Sequence, residues 1–454
     1  MKASGKPRRN AAEGDNAIMA AKPAPGASIA TKIIEWVKTV IIILLSAGAV
    51  LLGGQTGLFN GFLGSIPLFG SVAELVRGNT GTNQASNIQL KEAARPLTIV
   101  VTNEQGEHYG VRYETDARNA VYDRTSSIMG EALGSVSSWL EVNEDEWRAA
   151  LSGHGVCYEY ILPVKLSNLN GWLDARLPEI AEDAQLRRIC IAFGDDKSRI
   201  YYQDHMTGLF YGAETASSAG KAQSLEIYSP NGSAYAFETN LRGSQNAPYM
   251  LIMPGNGHPE LRSGTAGNAE DLMDAVLLAL GHNNEQYTWS YESDGSFRRV
   301  GTRFNIQINS SGGVFYRRLE IPVFDPEAAS RGEGEIIEQA RRIVEETLGK
   351  VCGAAEVFYE AIEEAEGDSV SVYFRYYIAG GSMYLPEDRY AARIAIASGT
   401  ITDLDINFRS FTFTGDYNVL LPERQALAAA GGEFLLYYSD SGAEILQPAW
   451  VLKG

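Results

Sequence analysis

The side chains from which this 454-residue chain could build chemistry are five histidines, three cysteines and many carboxylates. His108, His154, His205, His258 and His282 stand at no metal-ligand spacing, and the HExxH pattern is absent. Each reads as a surface or turn residue. No G-x-S-x-G is present, so no nucleophile elbow is visible. Ser218-Ala219-Gly220-Lys221 fits the S-x-x-K of acyl-enzyme formers, but it lies among small residues with no downstream K-T-G. It reads as linker. Gly255-Asn256-Gly257 starts a glycine pattern for phosphates but lacks the third glycine and the βαβ setting. Asp195-Asp196, before Lys197, reads as a hairpin turn. Asp403 and Asp405 share one strand face and read as solvated. The sequence thus assigns no catalytic residue, no metal ligand and no cofactor site, and the expectation is a protein that is not an enzyme.

Two further residue types carry information. Cys157 and Cys190 sit in apolar, strand-like runs and could pair; two buried free thiols is the preferred reading, with Cys352 the third cysteine. Three cysteines do not staple an extracytoplasmic domain of this size, which suits a bacterial envelope. Tyrosine is in surplus, at 23 residues. Tyr373, Tyr377, Tyr437 and Tyr438 fall on expected strands. A large apolar ring with a hydrogen-bonding tip suits a contact surface, and it equally suits a half-buried antiparallel sheet.

The elements that must position these residues begin with a charge asymmetry. Residues 39–73 hold no charged side chain, and Lys2, Lys6, Arg8, Arg9, Lys22, Lys32 and Lys38 precede them. Residues 1–38 carry a net +4 and residues 39–454 a net −22. About 20 apolar residues at 1.5 Å each cover a bilayer core of about 30 Å. The expectation is a disordered cytoplasmic tail over 1–31 and a membrane anchor over 32–54, with everything beyond it outside. An apolar connector and polar linker would fill 55–94. Ser46-Ala47-Gly48-Ala49 leaves a cleaved signal peptide as the competing reading. Ala49 and Gly53, four apart, could pack a partner helix. The acidic remainder repels nucleic acid.

Beyond the anchor, periodicity predicts α+β modules over 95–215, 222–324 and 325–454, each an antiparallel sheet on one helix. In the first, helices are expected over 117–140 and 144–151, with strands at 97–101, 155–163, 186–193, 199–203 and 209–211. The second has strands near 224–228, 249–253, 286–292, 298–309 and 314–323 and a helix over 269–280. In the third, Ser330 and Glu333 predict a capping box ahead of a helix carrying Ile336, Ala340, Ile343 and Val344. Strands follow at 357–363, 370–378, 392–397, 400–408, 411–414, 433–438 and 445–452. Within 370–378, Val370, Val372, Phe374, Tyr376 and Ile378 alternate against Ser371, Tyr373, Arg375 and Tyr377.

Three segments resemble a known family. They are Gly155-Val156-Cys157-Tyr158-Glu159-Tyr160-Ile161-Leu162-Pro163 followed by Leu166, Leu169 and Trp172; Leu420-Leu421-Pro422 with Gln425-Ala426-Leu427; and Tyr437-Tyr438 before Leu446-Gln447-Pro448-Ala449-Trp450. With the anchor and the modules, they are similar to the YycH/YycI group of single-pass bacterial proteins. That family accompanies and modulates WalK, a sensor histidine kinase of the cell wall. The resemblance implies a membrane-bound regulator, with a sensor histidine kinase and a paralogous anchored regulator as partners, and no catalytic residues. Two other classes stand beside it: a ligand-binding or adhesive exoprotein, and a peptidoglycan-acting enzyme.

Overall fold

Strand-forming residues open the first sheet at Thr98–Thr102 (β1) and His108–Val111 (β2). Helix Thr115–Gly134 (α1) follows, burying Val121, Tyr122, Ile128, Met129, Ala132 and Leu133 at three-to-four spacing. It stops six residues short of the expected end. Leu140–Val142 instead forms β3, an edge strand captured by pairing with residues 210–212. In Glu144–Ser152 (α2), the Asn143 side chain accepts a hydrogen bond from the Glu146 N–H at 2.9 Å. Glu144, Asp145 and Glu146 sit at the positive end of that helix. Gly155–Lys165 (β4), helix Leu166–Trp172 (α3), Gln185–Ala192 (β5), Ser198–Asp204 (β6) and Phe210–Thr215 (β7) complete the region. The seven strands order as β2-β1-β4-β5-β6-β7-β3, all antiparallel.

This sheet is covered on both faces. Ile99, Val101, Val156, Tyr158, Ile189 and Ile191 pack in the same core as α1. The other face carries a row formed by Val100, Cys157, Cys190 and Tyr201, which stand opposite one another across four strands. Trp147 of α2 packs against this row. Cys157 and Cys190 are joined as a disulfide, which corrects the preferred reading of two free thiols. The register explains it: directly opposed residues on neighbouring strands hold their β-carbons within disulfide reach. Cys352 is a buried free thiol.

The computed structural model describes residues 92–453 apart from 176–183, 195–196, 217–218, 256, 283–284, 321–330 and 366–368. The expected tail, anchor and most of the connector lie outside these residues, as do Ala49, Gly53, Asp195, Asp196, Ser218, Asn256 and Ser330. No helix among the described residues is long and apolar enough to cross a membrane.

Residues 223–225 form a short 3-10 turn where a strand was expected. Ala234–Tyr235 (β8) and Leu251–Ile252 (β9) pair with each other, and Gly257–Thr265 (β10) follows. Helix Ala269–Ala279 (α4) starts at Asn268, whose side chain accepts from the Asp271 N–H at 2.9 Å. Then come Tyr287–Tyr291 (β11), Phe297–Gly301 (β12), Phe304–Ile308 (β13) and Gly313–Arg318 (β14). Helix Glu333–Thr347 (α5) begins after Gly332, whose N–H donates to Glu335 at 3.2 Å, two residues later than the expected box. The chain closes with Glu356–Ala365 (β15), Ser369–Ile378 (β16), Gly381–Tyr384 (β17), Ala392–Ala397 (β18), Thr400–Asn407 (β19) and Arg409–Val419 (β20). After these come helix Glu423–Ala430 (α6), Phe434–Ser439 (β21), Ile445–Leu446 (β22) and Ala449–Leu452 (β23).

An eleven-stranded sheet runs β11-β12-β13-β14-β19-β18-β16-β17-β21-β23, with β15 also pairing β16. Its β17–β21 pairing is parallel. The expected boundary at 324/325 is therefore no break in the sheet. Val314 faces Ile406, Tyr316 faces Leu404 and Arg317 faces Asp403, so both faces of β14 find complementary partners on β19. A three-stranded sheet, β20-β10-β22, interlocks the same regions again. The protein is mixed α+β with strands dominant, and one buried apolar cluster extends from Ala94 to Leu446.

Candidate functional site

The four tyrosines expected on strands do lie on β16 and β21, but they share no open face. Tyr377 and Tyr438 are buried. The Tyr438 hydroxyl donates to the Pro259 carbonyl at 2.9 Å, and Tyr377 packs edge-on against Phe358 at 5.5 Å. Tyr373 and Tyr437 are half-buried, their rings tilted against Tyr390 and Tyr384 at 4.6 and 4.8 Å respectively. Arg375, between Tyr373 and Tyr377, lies 4.3 Å from the Tyr384 ring centre and pairs with Glu360. The face of β16 read as the polar one is thus covered, and a contact surface built on Tyr377 and Tyr438 is corrected to core packing.

The histidines are corrected in the same direction. His108, His258 and His282 are buried rather than at the surface. His108 bonds Thr102 at 2.9 Å and Glu238 at 3.0 Å. His282 bridges Glu285 at 2.7 Å and Tyr316 at 2.8 Å. His258 lies edge-on to Tyr113 and Trp450, and neither ring nitrogen has a hydrogen-bond partner among the described residues. Burial pushes its pKa down to about 4. Asp403 pairs with Arg317 at 2.9 Å. Asp405 is half-buried, and burial raises its carboxyl above the usual range. Among the described residues no three His, Cys, Asp or Glu side chains stand close enough to hold a metal ion.

The charged constellation that the structure does assemble is a seam between the first sheet and the C-terminal strands. Glu159, central on β4, receives Arg188 at 2.6 Å and Arg187 at 3.1 Å, with Arg112 at 3.6 Å. Glu433, just ahead of β21, also receives Arg188, at 2.6 Å, and Arg187. Glu423, at the start of α6, accepts the Tyr113 hydroxyl and the Met253 N–H, the latter at 2.8 Å, and lies 3.6 Å from Arg112. Burial alone would raise all three carboxyls. At Glu159 and Glu433 the guanidinium groups of Arg188 and Arg187 outweigh it and hold the carboxyls below the usual range. At Glu423 burial wins and the pKa is raised. Three arginines meet three glutamates, Lys453 stands 3.9 Å from Glu433, and Arg112, Glu159, Arg187 and Glu433 border a small cavity. The sequence signal was a charge inside an otherwise apolar strand: Glu159 in β4, and the Arg187-Arg188 pair in β5.

A groove of about 610 Å³ lies between α3 and β4 on one side and α5 and β15 on the other. That size is within the range of small-molecule sites. Its polar end is already satisfied. Lys165 pairs with Glu333, and the Asn168 amide donates to Glu333 at 2.9 Å. Trp172 Nε1 donates to the Gly334 carbonyl at 3.2 Å, which fixes the start of α5 against α3. The groove offers apolar walls from Pro163, Tyr359 and Ile362.

Much of the uncovered apolar surface lies on two strands. On β20, Phe413, Tyr417 and Val419 are 53, 68 and 70% exposed. On β11, Tyr287, Trp289 and Tyr291 are 41, 63 and 74% exposed. Both strands end their sheets. Neither patch is legible in the sequence, because alternation along a strand marks the face that is buried and not the face left uncovered.

No protein-family model matches the chain, and no curated protein matches it in sequence. Among solved structures, it is similar to the crystal structure of YycH from Bacillus subtilis, with a TM-score of 0.48 and 12% identity over 80% of this chain and 94% of that one. At that level of identity and superposition, the likeness assigns neither a family nor a function.

Proposed function

We propose that this chain is a non-catalytic, membrane-anchored, extracytoplasmic regulator that binds and modulates a cell-envelope sensor histidine kinase. The observation that carries the binding reading is the apolar edge of β20, where Phe413, Tyr417 and Val419 stand in solvent beside an interior whose charges are paired. Exposed contiguous apolar surface of this kind marks sites of association. The anchor and the kinase rest on the charge asymmetry around residues 39–73 and on the resemblance of the 155–172 and 420–450 segments to the YycH/YycI group. Confinement to one membrane surface would raise the effective concentration of regulator and kinase for each other.

The test is co-purification of the full chain with candidate kinases from detergent-solubilised membranes, together with a reporter of kinase output. Phe413→Asp with Tyr417→Asp should abolish both at unchanged abundance. A double variant that binds and regulates like the parent removes the β20 edge from the mechanism. The groove beside α5 favours a second reading, an extracytoplasmic ligand-binding protein. In that case Tyr359→Ala, and not the β20 variants, would disturb function.

A further inference from the structure

We infer that β11 is a self-pairing edge: two copies of this chain associate antiparallel through residues 287–291, with Trp289 on the two-fold axis. The strand is the free end of the eleven-stranded sheet, and all five of its residues are exposed. It carries none of the devices that blunt an edge: no proline, no lysine and no irregularity of register against β12. It is nevertheless firmly placed. Arg299 of β12 is buried, donates to Asp274 and Glu270 of α4, and stacks under Tyr287 at 4.7 Å.

The sequence of the strand, Tyr-Thr-Trp-Ser-Tyr, reads alike in both directions by residue class. Antiparallel pairing centred on Trp289 sets Tyr287 against Tyr291 of the second copy and Thr288 against Ser290 of the second copy. Aromatic rings then line one face and hydroxyls the other. The hydrogen-bond parity agrees. The Glu292 N–H donates to the Ser296 carbonyl across the hairpin at 2.9 Å. Antiparallel ladders alternate, so Ser290 and Thr288 also bond towards β12. Tyr287, Trp289 and Tyr291 therefore turn their N–H and C=O groups outward. In the centred register these three face one another as hydrogen-bonded pairs, and every outward group finds a partner.

Charge favours the same register. The chain is strongly acidic, at −18, yet it holds no charge between Glu285 and Glu292. The pairing sets Glu292 against Gln286 of the second copy, so no like charges meet. A self-complementary patch of this kind closes as a two-fold dimer instead of growing into a filament.

Five residues per copy bury well under the roughly 800 Å² per partner of a standard interface, so the dimer is weak and is best trapped covalently. Thr288→Cys and Ser290→Cys change small exposed side chains and leave the aromatic row intact. At about 0.1 mM full chain in detergent, with oxidised glutathione as the two-electron oxidant, a mixture of the two variants should form a covalent dimer, because positions 288 and 290 meet as a close, non-hydrogen-bonded pair. Neither variant alone should do so, and Cys352 is buried and does not compete. Adding Trp289→Lys to both should reduce the adduct at least tenfold, with thermal unfolding unchanged. No adduct in the mixture, or equal adduct from either variant alone, overturns the proposal.

Discussion

At Glu159, three guanidinium groups are enclosed with three carboxylates, whereas at β11 three aromatic rings stand in water. Each region holds what the other would ordinarily be given. The difference lies in what each group needs. A buried charge is tolerable only with its counter-charges in fixed places, so the seam admits one docking of the first sheet on the C-terminal strands. An exposed ring needs nothing from its own chain and is free to be covered by another. The seam therefore bears on stability and uniqueness, and the edge bears on association.

The comparison breaks most directly at Glu159. Glu159→Ala leaves Arg112, Arg187 and Arg188 around Glu433 and Glu423 alone, and should cost about 3–5 kcal/mol in urea unfolding. A loss below about 1 kcal/mol would mean that the seam does not hold the halves together.

A second test uses pH. The folded pKa of His258, about 4, lies below its ordinary 6.5. Its neutral, buried state therefore contributes stability that is fully present above pH 6.5 and lost as the pH falls through about 4. His258→Phe removes that dependence. Across this window the parent should lose about 2 kcal/mol more than the variant, read from denaturant midpoints at each pH.

Tyr438→Phe sharpens the contrast between the tyrosines. Loss of the bond to Pro259 should cost about 1 kcal/mol in thermal or urea unfolding. A residue on a contact surface would show no such loss. The smallest effect belongs to the edge itself. Tyr291→Ala should move stability by less than about 0.5 kcal/mol in the same assay, while weakening self-association.

How much of this was legible in the sequence depends on the range of the cause. The alternation of β16 and the three-to-four spacing of α1 are local: β16 formed where expected, and α1 formed but ended six residues early. The burial of the second face of β16 was not legible, because it depends on Tyr384 and Tyr390 folding back over Arg375 and on Glu360 pairing with it. β10 was missed altogether. Its sequence, GHPELRSGT, has little strand propensity, and it is extended because β20 pairs with it some 150 residues later. Three histidines read as surface or turn residues are buried, since burial of a single side chain is decided by distant packing. For the site, Glu159 and Arg187-Arg188 were visible as charges inside apolar strands. That Glu423 and Glu433 would complete them was not visible, because no local pattern encodes a partner about 250 residues away.

That separation has a consequence for how the chain is made. Arg188 and Arg187 precede Glu433 by 245 and 246 residues, and Tyr113 precedes Glu423 by 310. During synthesis the first sheet emerges with three guanidinium groups and Glu159 as their single counter-charge. Its strands can pair, but this side of the sheet cannot be closed until Glu423 and Glu433 arrive. The segment from Glu423 to Glu433 thus acts as the latch on a region made long before it, and a chain cut before Glu423 should be left open in its first sheet, a substrate for proteases rather than a smaller working domain.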